Sequence, residues 1–206
     1  MDNRSPALTF ESISTEIQTK LAIYEELLKK WNRKVNLVSR ETIDDIWLRH
    51  FQDSLRILPQ VQGKKVIDLG SGAGFPGLLL AMLGDVSVTC VEPNHKKILF
   101  LQEVARATHT RAVFLASRAE NLEKEEWDIV CARAFTDLEH LIDLTEKLSK
   151  GKRGVFLKGR TILSRESSEM AMARRNFDFQ CQTILGREKN QGPIILVNEI
   201  KRRKVR

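Results

Sequence analysis

An apolar run, Lys65-Val-Ile-Asp-Leu69, leads without interruption into Gly70-Ser-Gly-Ala-Gly-Phe-Pro-Gly77. A short run rich in branched side chains and closed by glycines predicts a buried strand ending in a tight turn. Glycines allow positive φ or a close approach of backbone to a ligand. Pro76 suits the first turn of a helix, where its missing N–H costs nothing. Strand, glycine turn and helix start in that order point to a parallel sheet covered by helices.

The rest of the chain agrees. Strands are expected at Lys65–Leu69, Ser87–Val91, Ala112–Leu115, Ile129–Ala132, Gly154–Leu157, Gln182–Leu185 and Ile194–Ile200. Helices are expected at Pro76–Leu83, Lys96–Ala107, Leu138–Leu148 and Leu163–Asn176. The last two strands follow each other across Gly186-Arg-Glu-Lys-Asn-Gln-Gly192, a hairpin-like loop. The sheet is therefore α/β, mostly parallel, seven-stranded and Rossmann-like, with one antiparallel strand at one side. That is the layout of the class I methyltransferases. Ahead of it, Ile17, Leu21, Tyr24, Leu28 and Trp31 form one apolar helical stripe, and Trp47, His50, Phe51 and Leu55 continue the pattern on a later helix. We expect residues 1–60 to be a helical extension packed on a core of residues 61–206.

In an open α/β sheet, ligands bind at the carboxyl ends of strands where the winding reverses. Gly72-Ala-Gly-Phe-Pro-Gly77 formally satisfies the dinucleotide fingerprint G-x-G-x-x-G. Asp68 argues against it, because a carboxylate near a pyrophosphate is a costly like-charge contact. The same carboxylate favours a ligand carrying an ammonium and a sulfonium, namely S-adenosylmethionine. Glu92, closing the second expected strand, suits a ribose diol with either cofactor.

The formal net charge is +7, with basic runs at Lys29–Lys34, Lys150–Arg153 and Lys201–Arg206. Such an excess favours a polyanionic partner, since each phosphate contact releases counterions. No apolar run approaches the ~20 residues of a membrane span, and Met1-Asp-Asn-Arg-Ser-Pro lacks the apolar core of a signal peptide. Cys90, Cys131 and Cys181 are odd in number and lack metal-ligand spacing, which predicts reduced thiols, a cytoplasmic protein and no metal site. A monomer is expected.

Five elements, the glycine loop among them, narrow the reading. Trp31-Asn-Arg-Lys-Val-Asn-Leu37, Arg49-His-Phe-Gln-Asp-Ser54, Asp68 to Gly77, Ala132-Arg-Ala134 and Leu157-Lys-Gly159 occur in one order. In this the chain resembles the RsmG family, also called glucose-inhibited division protein B. The resemblance implies an S-adenosylmethionine-dependent methyltransferase acting on N7 of one guanine in the decoding-region stem-loop of small-subunit (16S) rRNA, met as RNA or as ribosomal subunit. It also implies that Gly70 and Phe75 line the cofactor pocket, that Ala119 and Glu120 hold the adenine, and that Arg133 borders the place where cofactor and base meet.

Guanine N7 carries an exposed lone pair, so the chemistry needs placement rather than a general base. Arg133 is the candidate for contact with the methionine carboxylate, the guanine O6 or an RNA phosphate. His50 and Asp53, three apart, share a helix face and form either a buried pair or a cover over cofactor and base. Lys158 is a candidate phosphate contact. Cys131, inside an apolar run, reads as a packed core cysteine. Other readings stay open here: a methyltransferase of another RNA or of a small molecule, an RNA-binding protein without catalysis, and an NAD-dependent oxidoreductase.

Overall fold

The computed structural model describes residues 13–123, 126–159, 162–186 and 191–203, the side chains of 163–167 excepted. Helix α1 (Thr15–Asn32) is capped by the Ser14 hydroxyl, which accepts from Ile17 N–H. A π-helical turn over Trp47–Gln52 runs into the short helix α2 (Asp53–Leu55), and α3 (Leu58–Val61) follows. The core then alternates β1 (Lys65–Leu69), α4 (Gly77–Leu83), β2 (Ser87–Val91), α5 (His95–Ala107), β3 (Val113–Leu115), β4 (Ile129–Arg133), α6 (Leu138–Leu148), β5 (Gly154–Leu157), α7 (Ile162–Asn176), β6 (Phe177–Ile184) and β7 (Ile194–Arg202).

The strands lie in the order β3-β2-β1-β4-β5-β7-β6, and β7 is antiparallel to both of its neighbours. The winding reverses between β1 and β4, so their carboxyl ends form the crevice that such sheets offer to ligands. Side chains alternate across the sheet. Val66, Val88, Cys131 and Val155 face the layer that contains α1, α4 and α5, while Ile67, Val91, Val130 and Phe156 face α6 and α7. Phe100, Leu101 and Val104 of α5 are fully buried against α1. Each such side chain contributes about 1.5–3 kcal/mol relative to exposure. The α1 stripe is confirmed in Leu21, Tyr24 and Leu28, all buried.

Strand β6 corrects the sequence reading. It begins at Phe177, five residues before the expected Gln182, directly after α7. Phe177 and Phe179 are buried while Asp178 and Gln180 are exposed, a two-residue period that the charged neighbourhood masks. This longer β6 pairs Phe177 and Asp178 with Arg202 and Lys201, which is why β7 also runs two residues past the expected Ile200. Pro76 precedes α4 rather than starting it. The expected hairpin loop falls partly on 187–190, outside the described residues, but the strands flanking it pair Ile184 with Ile194 as a hairpin requires.

Candidate active site

The turn after β1 takes its shape from glycines at positive φ: Gly70 (68°), Gly72 (56°) and Gly74 (91°). At Gly74 a Cβ would lie 2.2 Å from the Tyr24 hydroxyl. That hydroxyl, fully buried on α1, donates to the Ala73 carbonyl. The N-terminal helix thus holds the floor of the loop. Tyr24 is the chain's single tyrosine, and the periodicity that placed it on an apolar stripe gave no sign of this polar duty.

Asp68 lies beneath the loop, not in front of it. As an alternate residue of β1 it points into the layer under α4, is fully buried, and its Oδ2 accepts from Gly77 N–H at 3.0 Å. Burial raises its carboxyl to about 6, against the hydrogen bonds that hold it. Asp68 is thus placed as a partner of the α4 start and not on the cavity lining, where a direct contact with a cationic ligand would need it. Glu92 at the end of β2 does meet the loop. Its Oε2 accepts from Gly72 N–H at 3.1 Å and its Oε1 from Asn94 N–H at 2.9 Å. Each oxygen keeps a lone pair, because a carboxylate offers about four acceptor positions.

A cavity of about 470 Å³ opens at the carboxyl ends of β1, β4 and β5. It is lined by the loop from Gly70 to Phe75, by Arg133 and Ala134 after β4, by Lys158 and Gly159 after β5, and by Thr42, Arg49, His50 and Asp53 from the N-terminal segment. Gly70, Phe75, Arg133, His50, Asp53 and Lys158 thus line one cavity. Asp68, Glu92, Ala119 and Glu120 are not among the lining residues. Ala119 and Glu120 sit on a short 3-10 turn after β3, two strands along the same edge, where Ala119 is buried and the exposed Glu120 carboxylate meets His140 Nε2 at 3.0 Å.

Around Phe75 the packing is specific. The His50 ring stacks on it, with centroids 5.1 Å apart and planes within 5°, and the Arg133 guanidinium lies 4.9 Å from its centre. Arg133 Nη1 donates to His50 Nδ1 at 2.9 Å. A guanidinium only donates, so Nδ1 must accept and Nε2 carries the proton, directed at the Thr42 hydroxyl 3.0 Å away. Burial, then Arg133, then Arg49 hold the His50 imidazole down to about 3, so it is neutral at physiological pH. No His50–Asp53 pair forms: Asp53 accepts from Arg56 Nη1 at 2.8 Å. The π-helical turn widens the spacing, and Ser54 Oγ–H takes the His50 carbonyl instead.

Arg56 also donates to the Gly192 carbonyl at 2.7 Å, joining the N-terminal segment to the loop before β7. Lys158 Nζ donates to the Thr136 carbonyl at 2.8 Å and lies 3.4 Å from Glu169. Ala134 turns the chain at φ 50°, a conformation rare for a residue with a Cβ and found at strained functional sites. Cys131 is fully buried, with its thiol pushed well above the usual range by burial, and so is no nucleophile. Arg49, Thr42 and Arg56 escaped the sequence reading. Only the adjacency of Arg49 to His50 could have marked one of them. Among the described residues no cluster of three metal-ligating side chains occurs, and no helix is long and apolar enough to cross a membrane.

The fit to S-adenosylmethionine can be tested on this geometry. A Cβ built on Gly72 would meet nothing closer than the Gly70 carbonyl at 3.7 Å, so the loop leaves room for a ligand against its backbone. Glu92 retains acceptor capacity beside it, and the cavity volume falls within the range of small-molecule sites. The residues fit.

Comparison with known proteins points the same way. The family model described as rRNA small subunit methyltransferase G matches residues 17–186. Ribosomal RNA small subunit methyltransferase G of Rhodospirillum centenum is 40% identical, over 97% of this chain and 95% of that protein. Its counterpart in Rhodospirillum rubrum is 39% identical over 92% and 94%. Among solved structures, magnesium protoporphyrin IX methyltransferase of Synechocystis PCC 6803 with bound SAM superimposes with a TM-score of 0.59 at 14% identity, covering 91% of this chain and 98% of that one. That last likeness speaks for the class I methyltransferase fold.

Proposed function

The chain belongs to the rRNA small subunit methyltransferase G family, and from that premise we propose that it transfers a methyl group from S-adenosylmethionine to N7 of one guanine in the decoding-region stem-loop of small-subunit rRNA. One observation carries the reading. The glycine loop shares its cavity with Arg49, Arg133 and Lys158, and the imidazole there, His50, is held neutral with its lone pair accepting from Arg133 and its N–H directed at Thr42. Such a site places and attracts an anionic substrate without removing a proton from it. N7 is the guanine position that needs no proton removed.

When bound, the cofactor supplies a methyl group already activated on a sulfonium. The chain's residues do the rest. Neighbouring strands lie about 4.8 Å apart, so the edge from β1 to β3 offers roughly 10 Å. Along it Gly70 and Phe75 hold the methionine end, Glu92 accepts from the ribose hydroxyls, and Ala119 with Glu120 flanks the adenine. Asp68 acts from beneath, by fixing the start of α4 under the loop. Arg133, held by His50 over Phe75, donates to the guanine O6 and leaves N7 free. In B-form duplexes arginine takes both O6 and N7, so a grip on O6 alone is what methylation at N7 demands. Lys158 and Asp53 border the RNA side. The gain over solution comes from alignment of the reacting atoms and from fixed charges suited to both ends of the transfer.

We further propose that residues 1–60 and 61–206 act as one unit and that the protein is a cytoplasmic monomer. The test of the main reading is incorporation of labelled methyl into unmodified small-subunit rRNA, followed by mapping of the product base. N7-methylguanine at one position is expected. Methylation of an exocyclic amine, or none, would overturn the reading.

A further inference from the structure

Outside the active site, the seam between α1 and α5 forms a second cavity, of about 390 Å³, lined by Lys30, Trp31, Lys34, Val35, Lys96 and Glu103. We propose that this groove is a second RNA subsite, which holds nucleotides flanking the methylated guanine by their phosphates and one base. The proposal rests on the rRNA reading above.

Charge is the first argument. Lys29 is paired with Glu25, but among the described residues no carboxylate pairs with Lys30, Lys34 or Lys96, all exposed. His95, Lys96 and Lys97 occupy the first turn of α5, which holds no acidic residue. The helix dipole disfavours cations there, so these lysines are placed against the helix's own preference. The N–H groups of Lys96 and Lys97 are taken by the Asn94 side chain. The attraction in the groove therefore comes from the ammonium groups and not from the helix end.

A fixed aromatic wall is the second. The Trp31 indole N–H donates to Glu103 Oε2 at 2.9 Å, and Phe100 packs beside the ring at 5.9 Å between centroids. Edge and one side are thus occupied, and the ring is still only half-buried. The one carboxylate in the groove is spent on holding the tryptophan. Leu99, 55% exposed, shares the helical face of Lys96 and Glu103 by its spacing. Cations beside an ordered aromatic are how single-stranded nucleic acid is gripped without sequence readout.

Continuity is the third. Lys34 and Val35 line the groove while Leu37 lines the catalytic cavity, so residues 34–37 form the rim shared by both. Asn32 makes that rim rigid: its Oδ1 accepts from Leu37 N–H at 2.9 Å and Val38 N–H at 3.0 Å, and its Nδ2 donates to the Val38 carbonyl. This accounts for the Trp31-Asn32 element, which the catalytic site leaves unused.

The test compares wild type with Lys30→Gln, Lys34→Gln and Lys96→Gln combined, and separately with Trp31→Phe. Binding of an unmodified small-subunit rRNA transcript is titrated against salt, alongside S-adenosylmethionine binding and thermal stability. Each phosphate contact on single-stranded RNA contributes about 0.7 to the slope of log affinity against log salt. The triple variant should therefore lose about 2 from that slope and raise KM for RNA at least tenfold. Its kcat at saturating RNA and its cofactor affinity should stay unchanged. Trp31→Phe should lose most of the fluorescence quenching that RNA produces. A triple variant with wild-type slope and KM would overturn the proposal. So would a defect seen only on assembled subunits with naked RNA bound normally, which would put a ribosomal protein in the groove. If wild type binds RNA but transfers no methyl, the catalytic reading fails while the slopes still decide the groove.

Discussion

His50 and Asp68 titrate against each other, and replacing either should expose the other. The folded His50 imidazole is held down to about 3, against an ordinary 6.5. Below pH 6.5 the unfolded chain therefore takes up a proton that the folded chain refuses, and stability falls as pH falls. Asp68 has the opposite sign. Its folded carboxyl is raised to about 6 from 3.8, so its contribution is complete below 3.8 and is lost as pH rises through 6. One proton of difference tilts stability by about 1.4 kcal/mol per pH unit. Between pH 6 and 4 the two slopes nearly cancel in the native protein. From pH 7.5 to 4.5, His50→Gln should gain on wild type by about 3 kcal/mol, two pH units' worth below 6.5. Asp68→Asn should lose about 2 kcal/mol over the same interval, from 6 down to 4.5. Urea unfolding at the two pH values reads both, because only the change between them counts and any packing cost of the substitution drops out. If the His50→Gln offset is the same at both pH values, His50 protonates freely in the folded chain and the Arg133 contact is not as described. If both variants shift with the same sign, the burial of Asp68 is the part that is wrong.

Three further outcomes are expected. Gly74→Ala should destabilise by more than about 1–2 kcal/mol, because the backbone stands at φ 91° and the methyl would collide with the Tyr24 hydroxyl; a melting temperature within a degree of wild type would refute it. Arg133→Ala should cut methyl transfer by ~100-fold or more, the usual scale for removing one fixed donor that acts in the transition state, and Arg133→Lys should recover little because a point charge cannot keep both the His50 and the Phe75 contacts; full rate and full cofactor affinity in Arg133→Ala would remove its role. Glu92→Ala should weaken S-adenosylmethionine binding at least tenfold in calorimetry, with a smaller part of the loss coming from the freed Gly72 N–H.

Much of the fold was legible because its signals are local. The strand–glycine–helix passage, the alternating apolar runs and the α1 stripe depend on neighbours in sequence, and they gave the sheet, its one antiparallel strand and most boundaries. The misses arose where tertiary structure decides. Phe177 and Phe179 show strand period only once their flanking charges are seen to lie outside the sheet. Asp68 adjoins the glycine loop in sequence, but alternation along β1 turns its side chain beneath the loop. The partnership of His50 with Arg133 joins residues 83 apart and arises from a π-helical turn that spacing rules for α-helices do not anticipate. Tyr24 donating to Ala73 is equally remote in sequence. Residues carried by a motif are legible in the sequence, and contacts made only by the folded geometry are not.

The place of β7 has a consequence for how the molecule is made. It follows β6 in the chain yet lies between β5 and β6 in the sheet. On the ribosome, β6 emerges with no strand to join, and the edge of β5 stays open until residues 194–202 have appeared. The cavity wall depends on the two residues just before that strand, since Lys158 N–H donates to the Pro193 carbonyl and Arg56 to that of Gly192. A nascent chain halted before Gly192 therefore has its glycine loop but no finished cavity.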